Sequence, residues 1–437
     1  MDARRTRFRL LALAMAAALA ACSEHAQLDP KTQVGHEPAL PGARNFLLPP
    51  MQVPDGVGWQ AGEHPTVADG LAIEKIADGL AHPRQVLALP NGDVLVVESN
   101  GPGQEAVTTP KQMIAGIVKN RSGKGKKGGN RITLLRRQAS GAWEKHDFLE
   151  HLHSPFGVQL IGNMLYVANT DSIVRYPYTP GATQITDPGT ELADLPGTVN
   201  HHWTKALLAS PDGKKLYVGV GSNSNASENG LEVEYRRACV LEVDVATGAS
   251  RIFASGIRNP TGLQWEPSTG KLWAIANERD EIGADLVPDY LTSVTDGGFY
   301  GWPYSYYGQH VDQRVQPQRP DLVAKALRPD FAITSHVAPL GLLFYTGSNL
   351  PAHFRGGAFI GEHGSWDRSP LSGYEVSYVP FVDGRPAGQK EAVVTGFASK
   401  DEKTLHGAPV GLAQANDGAL LIADDVGNAV WRVTAAR

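Results

Sequence analysis

The chain has 437 residues with 48 Gly, 30 Pro and 19% charged residues, too long for one small domain and too uncharged for a disordered one. Forty Lys and Arg stand against 45 Asp and Glu, a net charge of −5, which leaves out the basic excess that nucleic-acid binding requires. Beyond the first 22 residues no apolar run approaches the ~20 that a membrane-spanning helix needs.

Arg4, Arg5, Arg7 and Arg9 precede the apolar run LLALAMAAALAA from Leu10, a charged n-region followed by a short h-region. The run ends in Leu19-Ala20-Ala21-Cys22-Ser23, a lipoprotein-type cleavage box. Residues 1–21 are therefore expected to be an export signal. Cys22 becomes the acylated start of a chain tethered on the periplasmic side of a bacterial membrane by lipid alone. An ordinary secretory signal is the alternative. Cys239, left without a partner, lies in ACVLEV, the setting of a small buried hydrophobe rather than a nucleophile. Residues 22–67 are rich in Pro and Gly and predict a tether and surface wrap, leaving 68–437 as the folded domain.

Six short apolar strands recur after turn formers: DVLVVES from Asp93, MLYVANT from Met164, KLYVGVG from Lys215, KLWAIAN from Lys271, GAFIGEH from Gly357 and ALLIADD from Ala419. Before each lies a segment opening on His or Asn: His82, His153, His202, Asn259, His336 and His406. The spacing, roughly 50 to 77 residues, exceeds a minimal four-stranded unit, so each is expected to be an antiparallel meander with inserted loops. This predicts an all-β fold, a six-bladed β-propeller of four-stranded blades, with the five His and one Asn ringing one mouth of the channel. LAIEKI from Leu71 is expected to pair with the last blade and close the ring, removing two sheet edges.

His202 in VNHHWTK is the leading general base, since neutral imidazole accepts protons near pH 7. Strand alternation would turn His201 to the opposite face. Arg258-Asn259-Pro260 places a cation and an amide at the same mouth, suited to an anionic or carbonyl-rich ligand, with a salt bridge between blades as the alternative. NERDEIGADLVPDYL, from Asn277 to Leu291, offers carboxylates and loop carbonyls to a hard cation, or simply solvated charge. GGFYGWPYSYYGQH from Gly297 could line a sugar site or pack between blades. The insertion TTPKQMIAGIVKNRSGKGKKGGN lacks a phosphate-loop pattern and predicts a flexible loop near the mouth. No CxxCH haem motif is present, so electrons would leave to a separate acceptor.

NHHWTK, GSNSNASENG, GIRNPTGL, NERDEIGADLVPDYLT, GGFYGWPYSYYGQH and GEHGSW, in this order between Ile73 and Val433, resemble the soluble pyrroloquinoline quinone (PQQ)-dependent sugar dehydrogenases, nearest their sorbosone dehydrogenase-like branch. The resemblance implies PQQ over the mouth of a six-bladed propeller, with Ca²⁺ bridging cofactor and protein. It further implies that His202 takes the substrate's hydroxyl proton, that Arg258 steadies charge on the quinone oxygen, and that His153, Asn259 and Arg368 bind cofactor. Backbone carbonyls around Arg279 and Asp280 would bind calcium. Two departures stand out: Leu343-Phe344-Tyr345-Thr346 replaces a segment that carries a cofactor-binding Lys in the glucose dehydrogenases, and Lys205-Ala206 stands where their catalytic His is followed by Gly-Arg. The substrate class expected is therefore an aldose or an aldehyde-bearing sugar rather than glucose itself. A calcium-dependent lactonase and a non-catalytic binding propeller are the competing readings.

Overall fold

The computed structural model describes residues 25–44, 52–103, 110–198 and 201–436. The expected signal and Cys22 lie outside the described residues. Six four-stranded antiparallel meanders make up the propeller, the fifth carrying the extra short strand Thr66–Val67 on its outer edge. Each of the six recurring apolar segments is the second strand of its blade, and four of the six (Val94–Glu98, Leu272–Ala276, Ala358–Glu362 and Leu420–Asp424) are buried along their whole length. A strand covered on both faces reads as an unbroken apolar run, which is why these segments stand out in the sequence.

The first strands (Pro83–Ala88, Gly157–Ile161, Lys205–Ala209, Pro260–Trp265, Pro339–Phe344 and Pro409–Gln414) pack against one another in cyclic order around the axis. Leu71–Ala77 pairs antiparallel with Ala429–Ala435, with Ile73 opposite Val433, so an early strand and the last strand complete one blade, as expected. Apolar side chains fill the space between neighbouring blades. Leu95, Val97, Leu134 and Phe148 of the first blade meet Val158, Leu165, Val167 and Tyr176 of the second, each such burial contributing about 1.5–3 kcal/mol. Cys239 is fully buried in a similar layer, and burial pushes its thiol up to about 12.

Four of the first strands carry a Gly (Gly157, Gly262, Gly341 and Gly411), where a side chain would meet a neighbouring blade or strand. At Gly157 a Cβ would meet the Lys205 carbonyl at 2.6 Å, and at Gly341 it would enter the shell of the Val410 carbonyl. Bare backbone here lets adjacent inner strands close around the axis. Gly341→Ala is expected to lower stability by about 1–3 kcal/mol, the range for overpacking a filled interior, read as a lower midpoint with unchanged slope in urea unfolding.

Antiparallel pairing decides which residues share the mouth. Pro83 lies opposite Glu98, Pro260 opposite Ala276, Pro339 opposite Glu362 and Pro409 opposite Asp424. The turn entering each first strand therefore lies beside the residues leaving the second.

Candidate active site

His202 precedes Lys205–Ala209, so neither it nor His201 is in a strand, and alternation does not separate them. Their rings meet edge to face with centroids 4.7 Å apart. His202 Nδ1 lies 2.8 Å from the Ser222 carbonyl and 3.1 Å from Ser222 Oγ, whose own proton goes to the Ser224 carbonyl at 2.6 Å. Two acceptors face Nδ1, so Nδ1 carries the proton and Nε2 the lone pair. Burial, reinforced by the Arg258 charge, holds this imidazole well below its ordinary pKa. At Gly221 a Cβ would press on His202 Cβ at 2.5 Å and overlap the Asn259 amide oxygen, so the missing side chain lets both approach.

Arg258 is buried, with Nε donating to the Asn225 carbonyl (3.1 Å), Nη1 to the Glu278 carbonyl (2.6 Å) and Nη2 to Asn225 Oδ1 (2.9 Å). It ties the third and fourth blades through neutral acceptors; the nearest carboxylate oxygen, Asp280 Oδ2, is 3.7 Å away. Next to it the buried Asn259 Oδ1 has no hydrogen-bond partner among the described residues.

Arg279 is fully buried and its guanidinium is spent on Glu278, Asp312 and the carbonyls of Pro303 and Ser305. The Asp280 carbonyl accepts from Asn225 Nδ2 at 3.0 Å and Arg314 Nη1 at 3.2 Å, so both of its lone pairs are taken. What Asp280 offers is its side chain. Asp280 Oδ1 and Asp367 Oδ1 lie 3.4 and 3.5 Å from His336 Nδ1. Burial works against a charge on His336, but Asp367 and Asp280 outweigh it and raise its pKa; burial raises that of Asp367. The turn carrying His336 is left-handed at His336 and Ala338 (φ 63° and 49°), a conformation that costs free energy away from Gly.

Asp425 organises the adjoining part of the channel. Its carboxylate accepts from Arg84 and from His363 Nε2 at 2.9 Å, while its backbone carbonyl faces His82 Nδ1 at 3.0 Å. Lys124 reaches in from the insertion, donating to the carbonyls of His363 and Gly364 (3.1 and 3.0 Å) and to Tyr374 Oη (3.1 Å). Burial brings its ammonium down to about 7. The described part of the insertion is thus a helix, Pro110–Arg121, followed by an anchored turn, not the flexible loop expected. Sequence reading passed over Asp367, Asp425 and His363. His363 and Asp425 directly follow the second strands of their blades, and that shared position is the signal that could have found them; Asp367 lies further along the loop after His363.

The ring of six is incomplete. His82, His202, Asn259 and His336 join these clusters. His153 is exposed and paired with Asp171 at 2.7 Å, and His406 stacks on Trp59, centroids 5.3 Å apart. Phase sets His153 apart: the lead residue stands one position before the strand at His82 and Asn259, three at His202, His336 and His406, and four at His153. His406 shares its offset with two site residues and differs in its neighbours, Trp59 and Glu63. Arg368 is buried against the Ala284 and Pro370 carbonyls and Asp285 Oδ1. Asp285 Oδ2 in turn accepts Gln27 and Leu28 amides, so Arg368 helps fasten the segment before the propeller. Tyr300, Trp302, Tyr304, Tyr306 and Tyr307 are buried, with Tyr307 bordering one surface hollow and Trp302 and Tyr304 another. The Leu343–Thr346 departure lies at the far end of Pro339–Phe344 from His336, about 20 Å along the strand.

A family profile described as TrAA12-like matches residues 65–289 and 309–436. The chain belongs to the TrAA12-like family. This places it among the PQQ-dependent sugar dehydrogenases. The TrAA12-like chain is 22% identical over 347 residues to the "Pyrroloquinoline quinone-dependent sugar dehydrogenase" of Hypocrea jecorina, covering 69% of this chain and 74% of that one. Its fold is similar to the holo form of the pyranose dehydrogenase PQQ domain from Coprinopsis cinerea (TM-score 0.69, 19% identity, 87% of this chain and 100% of that one). It is also similar to the calcium structure of the Trichoderma reesei family AA12 enzyme (TM-score 0.68, 19% identity, 90% and 99%).

Proposed function

We propose that this chain oxidises a hydroxyl of an aldose or an aldehyde-bearing sugar, using PQQ and Ca²⁺ and handing the electrons to a separate acceptor. The observation that carries the reading is the tautomer of His202, which leaves Nε2 as an unprotonated acceptor beside Arg258 and Asn259. The residues present fit the cofactor. Asn259 Oδ1 is a buried acceptor in want of a donor, Gly221 clears space between it and His202, and Asp280, His336 and Asp367 offer cation ligands. PQQ, when bound with calcium, supplies the hydride acceptor.

The chain's own residues do the rest. His202 Nε2 takes the hydroxyl proton, while Nδ1 stays fixed on Ser222 and keeps the ring aimed. The positive field of Arg258, in a low-dielectric surround, favours negative charge developing nearby. Asn259 binds cofactor through its amide, and His153, more exposed, would meet cofactor from the rim. On the leader reading the protein works on the periplasmic side of a membrane, held by lipid at Cys22; among the described residues no helix is long and apolar enough to cross one.

A second reading, a calcium-dependent lactonase, is favoured by Asp280 and Asp367, carboxylates that converge where the sequence suggested only imidazoles and an amide. Purified protein given PQQ and Ca²⁺ is expected to reduce a dye with aldoses, and to do so only with the quinone present. Lactone hydrolysis without PQQ would replace the first reading by the second.

A further inference from the structure

We propose that the side chains of Asp280, His336 and Asp367 form a divalent-cation site that fills without any quinone. The proposal deepens the reading above, on which it rests for the ion's place beside the cofactor. The binding itself needs only these three residues. They come from separate segments: the loop after Leu272–Ala276, the turn before Pro339–Phe344, and the loop after Ala358–Glu362. Their ligand atoms all lie within 4.8 Å of one another, with His336 Nδ1 at 3.4 and 3.5 Å from the two carboxylate oxygens. Ligands about 2.3–2.6 Å from one ion stand about 3.5 Å apart when at right angles, so the spacing is that of neighbours on a shared cation.

The imidazole is oriented for it. His336 Nε2 donates to the Gly283 carbonyl at 2.9 Å, which directs Nδ1 at the two carboxylates. Fixing the far nitrogen on a backbone carbonyl is how ligating histidines are held. Asp367 is 3% exposed, and its Oδ1 has no hydrogen-bond partner among the described residues. His336 Nδ1 stands 3.5 Å from it without a hydrogen bond, and an ion at this point would satisfy the buried oxygen.

The frame is prepared as well. Asp289 accepts the Glu278 amide at 2.7 Å and the Ala338 amide at 2.8 Å, clamping the two segments that bear Asp280 and His336. Two of the loop carbonyls meanwhile are occupied, that of Glu278 by Arg258 and that of Asp280 by Asn225 and Arg314. Two carboxylates with one imidazole suit an ion that accepts both oxygen and nitrogen, and Mn²⁺ is the practical probe.

Chelator-stripped, quinone-free full-length protein is titrated with Mn²⁺ while the free ion is followed by its electron paramagnetic resonance signal. One Mn²⁺ per chain is expected, with nitrogen modulation from a directly bound imidazole in the pulsed spectrum. Asp367→Asn is expected to weaken binding at least tenfold. Asp212→Asn, an exposed turn carboxylate, should leave it unchanged. No stoichiometric binding, bound Mn²⁺ without nitrogen modulation, or unchanged affinity in a folded Asp367→Asn protein would each overturn the proposal. The wild-type spectrum decides the matter even if that variant fails to fold. Metal uptake without quinone-dependent dye reduction would retain this site and remove the quinone reading; dye reduction by a protein that takes up no Mn²⁺ would do the reverse.

Discussion

His202→Ala is expected to lower kcat for sugar oxidation by about 10²- to 10⁴-fold, the share a positioned base supplies, while leaving PQQ affinity near that of the parent protein. The split follows from the geometry: the ring is anchored through Nδ1 to the Ser222 carbonyl, and only Nε2 is offered outward. The pH profile provides a second measurement. A base works when unprotonated, and burial plus the Arg258 charge hold this imidazole well below its ordinary value of about 6.5. The acid limb of kcat/KM should therefore stay flat through pH 6.5 and fall only at lower pH. Near-normal turnover in the variant, or a limb centred at or above pH 6.5, would take the base role away from His202.

The second large effect concerns stability. Asp425→Ala should destabilise the fold by about 3–5 kcal/mol, because the Arg84 guanidinium would stay buried without its counter-charge. Arg84 Nε has no partner among the described residues, so Asp425 is the main recipient of that charge. The double change Arg84→Met with Asp425→Leu should recover most of the loss, since removing both members of a buried pair is close to neutral. Urea midpoints of the single and double variants test this. The linkage sign is fixed too. Burial would raise the Asp425 pKa, but His363, His82 and Arg84 together hold it far below the usual carboxylate range. Its contribution is present above about pH 4, the unfolded value, and is lost as the pH falls toward the folded one. The double variant should accordingly show a shallower loss of stability in acid, and an unchanged acid slope would contradict the assignment.

Much of the architecture could be read from the chain because burial on both faces writes continuous apolar runs such as VLVVE and LLIAD into it. The closing strand was visible for a related reason, an apolar segment just ahead of the first repeat. The site was only half legible. His202, Arg258 and Asn259 sit in turns whose local sequence already marks them. Asp425 follows Asp424 at the end of a strand, a pattern that reads as a solvated turn, and only the packing of the sixth blade against the first brings it to His82 and Arg84. Lys124 was hidden in a basic, glycine-rich stretch that composition assigns to solvent, yet its ammonium is enclosed by carbonyls and a tyrosine ring 4.5 Å away. His153 and His406 erred the other way, sharing a motif with the site residues but entering their strands at other offsets or against other neighbours.

The pairing of Leu71–Ala77 with Ala429–Ala435 bears on biogenesis. Until the final strand has been made, Leu71–Ala77 waits without its partner, and the groups around His202, Asp280 and Asp425 are drawn from blades that have not yet been locked into a circle. Loop-closure entropy over most of the chain is settled in that last step. Truncations that remove the terminal strand should thus forfeit catalysis and folding together, whereas an internal nick in a surface turn, with the circle still shut, should spare both.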